Sequence, residues 1–395
     1  MKAPVSWIRE YVDLPAAVTT EDLAARLTAL GLKLEAIESP RDAITGPLVV
    51  GRVLTMEPEP QKNGKTINWC TVDVAEANGT GEPQGIVCGA HNFGVGDLVV
   101  VVLPGGVLPG DFAISARKTY GHVSAGMICS AAELGISSEA DGIIVLPPGA
   151  GEPGDDAFAV LGLDDEVIEF EINPDRAYAL SLRGVAREAA LAYATEGATF
   201  TDPAGRAVPD ANDDGHPVVL EDPEGCPLFV ARLVSGFDPT ATTPDFIARR
   251  LTQAGMRPIS LAVDVTNYVM LEIGRPIHGY DADKLSGPIR VRRAGAGERL
   301  TTLDGTERTL DPGDLVVTDD SGIIGLGGVM GGEPTEISEA TTRVLVESAH
   351  WDATSMFRTG KRHKISSEAG KRNERGVDPV VCEAAADRVV ELLTT

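Results

Sequence analysis

Asp264 to Asp281 reads DVTNYVMLEIGRPIHGYD and brackets a short apolar run with polar groups. Thr266 and Asn267 stand at its start, Gly274 stops it, and Pro276-Ile277-His278 follow in an extended loop. A hydroxyl, an amide and an imidazole carried at the two ends of one greasy element can converge on a cavity and orient a water or a small polar molecule. Two further strings carry complementary chemistry. GLGGVMGGE, Gly325 to Glu333, holds five glycines, and backbone N–H groups such as those of Gly327 and Gly328 can approach a carbonyl oxygen because no Cβ blocks them. VLVES, Val344 to Ser348, puts Glu347 at the end of a strand-like run. That carboxylate is either a solvated strand end or an acceptor in an apolar pocket. Taken singly, His278 reads as a loop histidine satisfied by backbone and the glycines as a turn; together the three segments read as a small-molecule pocket.

Other chemistries fail on spacing. NGKT at Asn63 to Thr66 has the tail of a phosphate-binding loop, but Glu59 occupies the required earlier glycine position. Gly325-Leu326-Gly327 lacks the third glycine of a dinucleotide fingerprint and has no βαβ frame around it, so a tight turn is expected. GHVSAG around Ser124 is not a nucleophile elbow. No H-E-x-x-H occurs, and His278 with Glu347 is too small a ligand set for a metal. The expectation is no metal site, no ATP site and no Ser or Cys triad, so any hydrolysis uses an activated water.

The elements that must position these groups follow from length and pattern. At 395 residues, with 43% hydrophobic and 24% charged residues, the chain is expected to form two or three globular domains. Lys plus Arg number 34 against 59 Asp plus Glu, a net charge of −25, which argues against broad polyanion binding. The sign is uneven, however. Arg358 to Arg375 carries seven Lys or Arg against Glu368 and Glu374 alone; this strip is either a solvated helix face or a local phosphate-binding stripe. Five scattered cysteines without a C-x-x-C are expected to be buried thiols of a reducing cytoplasm. No secretory segment or membrane span is read.

Thr19 or Thr20 is expected to cap a helix with Leu23, Leu27 and Leu30 on one face and Gly31 at its end. From Gly46 to about Leu146, the runs PLVVGRVL, TINWCTVDV, QGIVCGA, DLVVVVLP and DFAISARK predict a small closed barrel of OB type. Linkers are read at Pro147–Asp156 and Thr201–Pro217. Beyond Val218, alternating strands and helices predict one α+β domain, closed by a helix opened by Asp378-Pro379.

The strings GPLVVGRVL, IVCGAHNFGVGDLVVVVLPGGVLPG, ISARKTYGHVSAGMICSAAELGI, NPDRAYALSLRGVARE, AVDVTNYVMLEIGRPIHGYD, LTTLDG, GLGGVMGGEPTEI and RHKISSEAGKRNERGVDP, in this order, resemble the N-terminal half of the bacterial phenylalanyl-tRNA synthetase β subunit. The resemblance covers essentially the whole chain. It implies an α+β multidomain protein, with an OB-fold tRNA-binding domain at 41–152 inserted in a small α/β domain (1–40 and 153–200) and an editing domain at 210–390. The family's remaining C-terminal domains are absent, so a fragment, a truncated product or a stand-alone editor is expected. The implied function is the β part of phenylalanine–tRNA ligase, contributing tRNA binding and hydrolysis of tyrosine esterified to the phenylalanine tRNA; aminoacylation belongs to the α subunit. Rival readings are a free-standing deacylase acting in trans and a non-catalytic tRNA-binding module.

The resemblance further implies that the pocket is lined by Thr266, Asn267, His278, Gly328 and Glu347, and closed by the Ser367-Glu368-Ala369 turn. Within it, Asn267 and His278 are expected to orient the water and Glu347, ionised, to accept the tyrosine hydroxyl. Gly327, Gly328, Ser367 and Ala369 complete the substrate contacts. The cations expected to contact tRNA are Arg117, Lys118, Lys361, Arg362 and Lys364. No cofactor is expected on this chain; ATP and Mg²⁺ belong to the complete ligase of two α and two β subunits, a cytoplasmic enzyme without membrane contact. The string departs from the family at Asn373, usually aromatic, at Gly370-Lys371 and at Ala177.

Overall fold

A computed structural model describes residues 1–61, 64–136, 142–208, 210, 212 and 215–394. Asn63 of the NGKT string and part of the Thr201–Pro217 linker lie outside the described residues. The chain is mixed α+β and divides into two compact units, Glu38–Glu166 and the two flanks Met1–Ile37 with Val167–Thr395.

Glu38–Glu166 is built on one antiparallel ladder in the order Met127–Ile128, Leu98–Val102, Leu48–Pro60, Thr66–Asp73, Gln84–Cys88, with Val145–Leu146 also paired to Leu98–Val102. Leu98–Val102 is an unbroken apolar run because both of its faces are buried. The long Leu48–Pro60 strand shifts register against Thr66–Asp73 between Val53 and Thr55, the bend that an extra residue produces. The expected barrel does not close as a ladder among the described residues: its edges meet where the Ala125 N–H donates to the Gly85 carbonyl at 2.9 Å, without a strand pair. DFAISARK is not one strand either. Phe112–Ala113 folds back on Val107–Leu108, and Arg117–Thr119 pairs with His122–Ser124. Tyr120 and Gly121, at φ 47 and 92, form the left-handed turn of the second hairpin. Two local hairpins replace one long strand because both turns favour them.

In the other unit, Thr19 caps helix Thr20–Ala29 by accepting the Asp22 N–H at 3.2 Å. Leu23 and Leu27 are buried while Leu30 is partly exposed. Both flanks share one hydrophobic core, in which Trp7 stacks on Tyr268 at 4.8 Å. A three-stranded antiparallel sheet has Arg343–His350 at its centre, between Leu228–Ser235 and His278–Asp281. A five-stranded sheet runs Val218–Leu220, Ile289–Arg293, Leu315–Asp319, Gly322–Leu326, Met330–Gly331. All five cysteines are free and buried. Among the described residues no helix is long and apolar enough to cross a membrane.

Candidate functional site

The Leu261–Ile273 helix begins before the Thr-Asn pair. Asp264, in its first turn, fixes the chain leading into the helix by accepting the Ile259 N–H at 2.7 Å and the Thr243 hydroxyl at 2.5 Å. Thr266 and Asn267 therefore sit inside the helix, and the Thr266 hydroxyl donates back to the Val263 carbonyl at 2.9 Å. Gly274, at φ 97, ends the helix. His278 is not in a loop: it opens strand His278–Asp281 and pairs directly with Glu347. Glu347 in turn lies within Arg343–His350 and is buried at 7% exposure.

His278 and Glu347 open onto a cavity whose walls also include Ile277, Tyr280, Leu326, Gly327, Gly328, Gly331, Trp351, Ala369 and Asn373. Of the residues expected there, His278, Gly327, Gly328, Glu347 and Ala369 line it. Thr266 and Asn267 do not. Ser367 acts at its margin, where its hydroxyl donates to the Val329 carbonyl at 3.0 Å and accepts the Gly370 N–H at 2.9 Å. Asn373 lines the wall and donates to the Gly328 carbonyl at 2.8 Å. Both bonds tie the Glu368–Asn373 helix to the glycine turn.

The glycines are required by close packing as much as by access. A Cβ on Gly327 would stand 2.7 Å from the Trp351 ring, and Gly328, at φ +69, lies against Trp351 and Met356. The Gly327 N–H is already spent on the Leu315 carbonyl at 2.9 Å, which corrects the expectation that it faces a ligand. A Cβ on Gly331 would reach within 2.7 Å of His278 Nε2. Gly331→Ala is expected to displace the imidazole and cost about 1–3 kcal/mol; urea denaturation measures this, and an unchanged midpoint would mean that the ring has room to yield.

Electrostatics separates the two titratable groups of the central pair. Burial holds the His278 imidazole down to about 4, so it is neutral near pH 7, and its buried Nε2 has no hydrogen-bond partner. Burial pushes the Glu347 carboxyl up to about 7, against the opposing hydrogen bond from Tyr280. The carboxyl is thus shared between its two protonation states at neutral pH, where a fully ionised group was expected. A neutral imidazole with a free ring nitrogen can position water; a buried carboxyl with apolar neighbours can select a hydroxyl. Tyr280, Trp351 and Asn373 were not read from the sequence as pocket walls, and Gly331 only as part of the glycine string. The one signal available was for Tyr280, two residues from His278 and so on the same face of a strand.

The basic strip is broken up by folding. Arg372 is buried, donating to the Leu180 carbonyl at 3.1 Å and to Glu368 Oε2 at 2.6 Å. Arg375 donates to the Ile172 carbonyl at 2.9 Å. Arg362 pairs with the fully buried Asp314, which also takes His363 Nε2 at 2.7 Å, the Asp311 N–H at 2.9 Å and the Thr359 hydroxyl at 2.9 Å; against burial, the bonds from His363, Asp311 and Thr359 hold the Asp314 carboxyl below its ordinary range. Lys361 and Lys364 are exposed, as are Arg117 and Lys118 on the Arg117–Thr119 strand. Among the described residues no group of three His, Cys, Asp or Glu is placed to hold a metal.

Residues 48–156 match the family described as "Putative tRNA binding domain", and residues 225–395 match the "B3/4 domain". The chain is 58% identical over 397 residues to the phenylalanine–tRNA ligase beta subunit of Streptomyces avermitilis, covering 100% of this chain and 47% of that protein. It is 57% identical over 393 residues to that of Thermobifida fusca and 52% over 399 to that of Nocardia farcinica, each again covering 100% of this chain and 47% of the relative. The chain thus spans about half the length of the curated relatives it matches. An N-terminal fragment of the phenylalanyl-tRNA synthetase beta subunit from Pyrococcus horikoshii superposes at a TM-score of 0.28, with 16% identity over 53% of this chain and 62% of that one, too weakly to bear on the fold.

Proposed function

Because the chain belongs to the family of phenylalanine–tRNA ligase beta subunits, we propose that it supplies the tRNA-binding and editing functions of that ligase, hydrolysing tyrosine esterified to the phenylalanine tRNA. The observation that carries this reading is the buried Glu347 at the wall of a cavity, paired across the sheet with a neutral His278. A synthetic site shaped for a phenyl ring rejects the ring with an added hydroxyl poorly, by about 10². A second site that demands the hydroxyl sorts the two far better, because phenylalanine leaves a buried acceptor unpaired.

In the proposed reaction the tyrosyl hydroxyl donates to Glu347. His278 Nε2 orients a water whose oxygen bonds to the ester carbonyl carbon; the bond to the ribose oxygen breaks, and the water's proton ends on the released ribose hydroxyl. Gly328 is the backbone donor assigned to the carbonyl oxygen. Thr266 and Asn267 do not line the cavity, and no part of the step is assigned to them. Ser367 and Ala369 act through the segment that closes the cavity. Functionally we assign 41–152 to an OB-type RNA-binding domain, 210–390 to editing, and 1–40 with 153–200 to a small α/β domain. As a ligase subunit the protein would work in the cytoplasm with the α subunit, two of each, and with ATP and Mg²⁺ serving aminoacylation outside this chain.

Run in H₂¹⁸O with tyrosyl-tRNA(Phe), the reaction should release tyrosine carrying one ¹⁸O in its carboxylate. Absence of release would end the catalytic reading and leave an RNA-binding module. For tRNA contacts, Arg117, Lys118, Lys361 and Lys364 are retained and Arg362 is assigned to the Asp314 network. Neutralising either exposed pair should weaken tRNA binding and lower the salt slope by about one per lost phosphate contact. Arg362→Ala should instead lower stability. An unchanged salt slope in both pair variants would make these cations merely solvated.

A further inference from the structure

Residues two apart on a strand share a face, so Tyr280 stands on the same side of the sheet as His278 and, across the ladder, Glu347. The Tyr280 side chain is buried at 1% exposure. Its ring meets the His278 imidazole edge-on, with centroids 4.5 Å apart, and its hydroxyl donates to Glu347 Oε2. The protein therefore already seats one phenol on the carboxyl that the proposed function offers to a second. We propose that Tyr280 is a positioning residue that determines specificity: its hydroxyl fixes Glu347 by one oxygen and turns the other toward the cavity as an acceptor of set direction. The inference rests on Glu347 being the acceptor for the substrate's hydroxyl.

Two physical effects follow from the one bond. A carboxylate has two oxygens and several lone-pair directions; holding Oε2 removes the rotation that would blur recognition at the other oxygen. A donor to the charged form also favours that form. Burial alone drives Glu347 toward protonation, and the Tyr280 hydroxyl acts against it. A protonated carboxyl carries a donor of its own and loses its character as an acceptor only, so it distinguishes a phenol from a phenyl ring less well.

Little else facing Glu347 can take over this task. His278 on the same strand as Tyr280 is held neutral by burial near pH 7. Cys226 is a thiol pushed up by burial and by Glu347 itself. The strand on the other side presents Ala231, and the Gly325–Gly331 wall, Trp351, Ala369 and Asn373 carry no titratable side chain. Tyr280, His278 and Glu347 are the titratable groups among the described residues that line the cavity.

Tyr280→Phe removes one oxygen and keeps the ring. The readout is the ratio of deacylation rate constants for tyrosyl- and phenylalanyl-tRNA(Phe), corrected for uncatalysed hydrolysis, followed across neutral pH for the unaltered chain, Tyr280→Phe and Glu347→Gln. In the unaltered chain the ratio should rise with pH, with a midpoint at about 7. In Tyr280→Phe it should fall about tenfold at neutral pH and recover only in part at higher pH, the midpoint moving up by about one pH unit or more. In Glu347→Gln it should not vary with pH. A Tyr280→Phe profile that coincides with that of the unaltered chain overturns the positioning role while leaving Glu347 its own. A loss that persists at high pH, where Glu347 is ionised in both chains, supports the directional effect of the bond, whereas a fall in both deacylation rates together with the ratio kept at every pH overturns it. An unaltered chain without preference for tyrosine at any pH overturns the reading of Glu347 and this inference with it.

Discussion

Glu347→Ala is expected to abolish the proposed preference for a tyrosyl over a phenylalanyl ester, lowering the ratio of their deacylation rates by about ten- to a hundredfold, the range expected for a hydrogen bond to a buried, partly charged acceptor. The effect should combine a loss for tyrosine with a gain for phenylalanine, since deleting the carboxyl also removes the buried acceptor that phenylalanine leaves unpaired. Ratios measured on both charged tRNAs check it; a selectivity retained in the variant would remove Glu347 from recognition. The same carboxyl has a stability signature. Its pKa is raised by burial from 4.5 to about 7, so folding favours the protonated form. The contribution is fully present below about pH 4.5 and is lost as pH rises through about 7, amounting to about 3 kcal/mol. Glu347→Gln should flatten that part of the stability profile between about pH 5 and pH 8. Parallel urea midpoints for the two proteins across this range would count against a buried, titrating Glu347.

Arg275→Ala destabilises the chain by about 3–5 kcal/mol. The side chain is 0% exposed and spans two segments: Nη1 donates to the Ala349 carbonyl at 2.7 Å, and Nη2 to the Asp378 carbonyl at 2.7 Å and the Val377 carbonyl at 3.2 Å. Its removal leaves three carbonyls without this donor and a void among buried atoms. Ala349 lies two residues beyond Glu347 on the same strand, and Val377-Asp378 lead into the Cys382–Thr394 helix, so the loss reaches the frame of the site. Arg275→Lys should restore little, because one ammonium cannot span carbonyls on two segments as a planar guanidinium does. Denaturant unfolding decides the matter: a loss below about 1 kcal/mol would mean that water replaces the guanidinium without cost.

Local features were legible in the sequence where the cause is local. The Thr19 cap, the Gly274 stop and the apolar runs that become Leu98–Val102 and Arg343–His350 all follow from residue type and period. The pocket was legible as a set of strings but not as a geometry. That His278 opens a strand depends on its pairing with Glu347, 69 residues later in the numbering. That Tyr280 holds Glu347, that the Gly327 N–H is taken by Leu315, and that Arg362 is bound to Asp314 depend on tertiary partners that no period or cap encodes. Thr266 and Asn267 were misplaced for a local reason. Ser260 and Asp264 start the helix one turn earlier than the apolar run suggests.

The central claim is a cavity that recognises one hydroxyl on an esterified amino acid. Its most direct measurement is the ratio of first-order deacylation rates when the unaltered chain meets tyrosyl-tRNA(Phe) and phenylalanyl-tRNA(Phe) at equal concentration. The expected result is faster release of tyrosine by about tenfold or more. Equal rates, or faster release of phenylalanine, would contradict it.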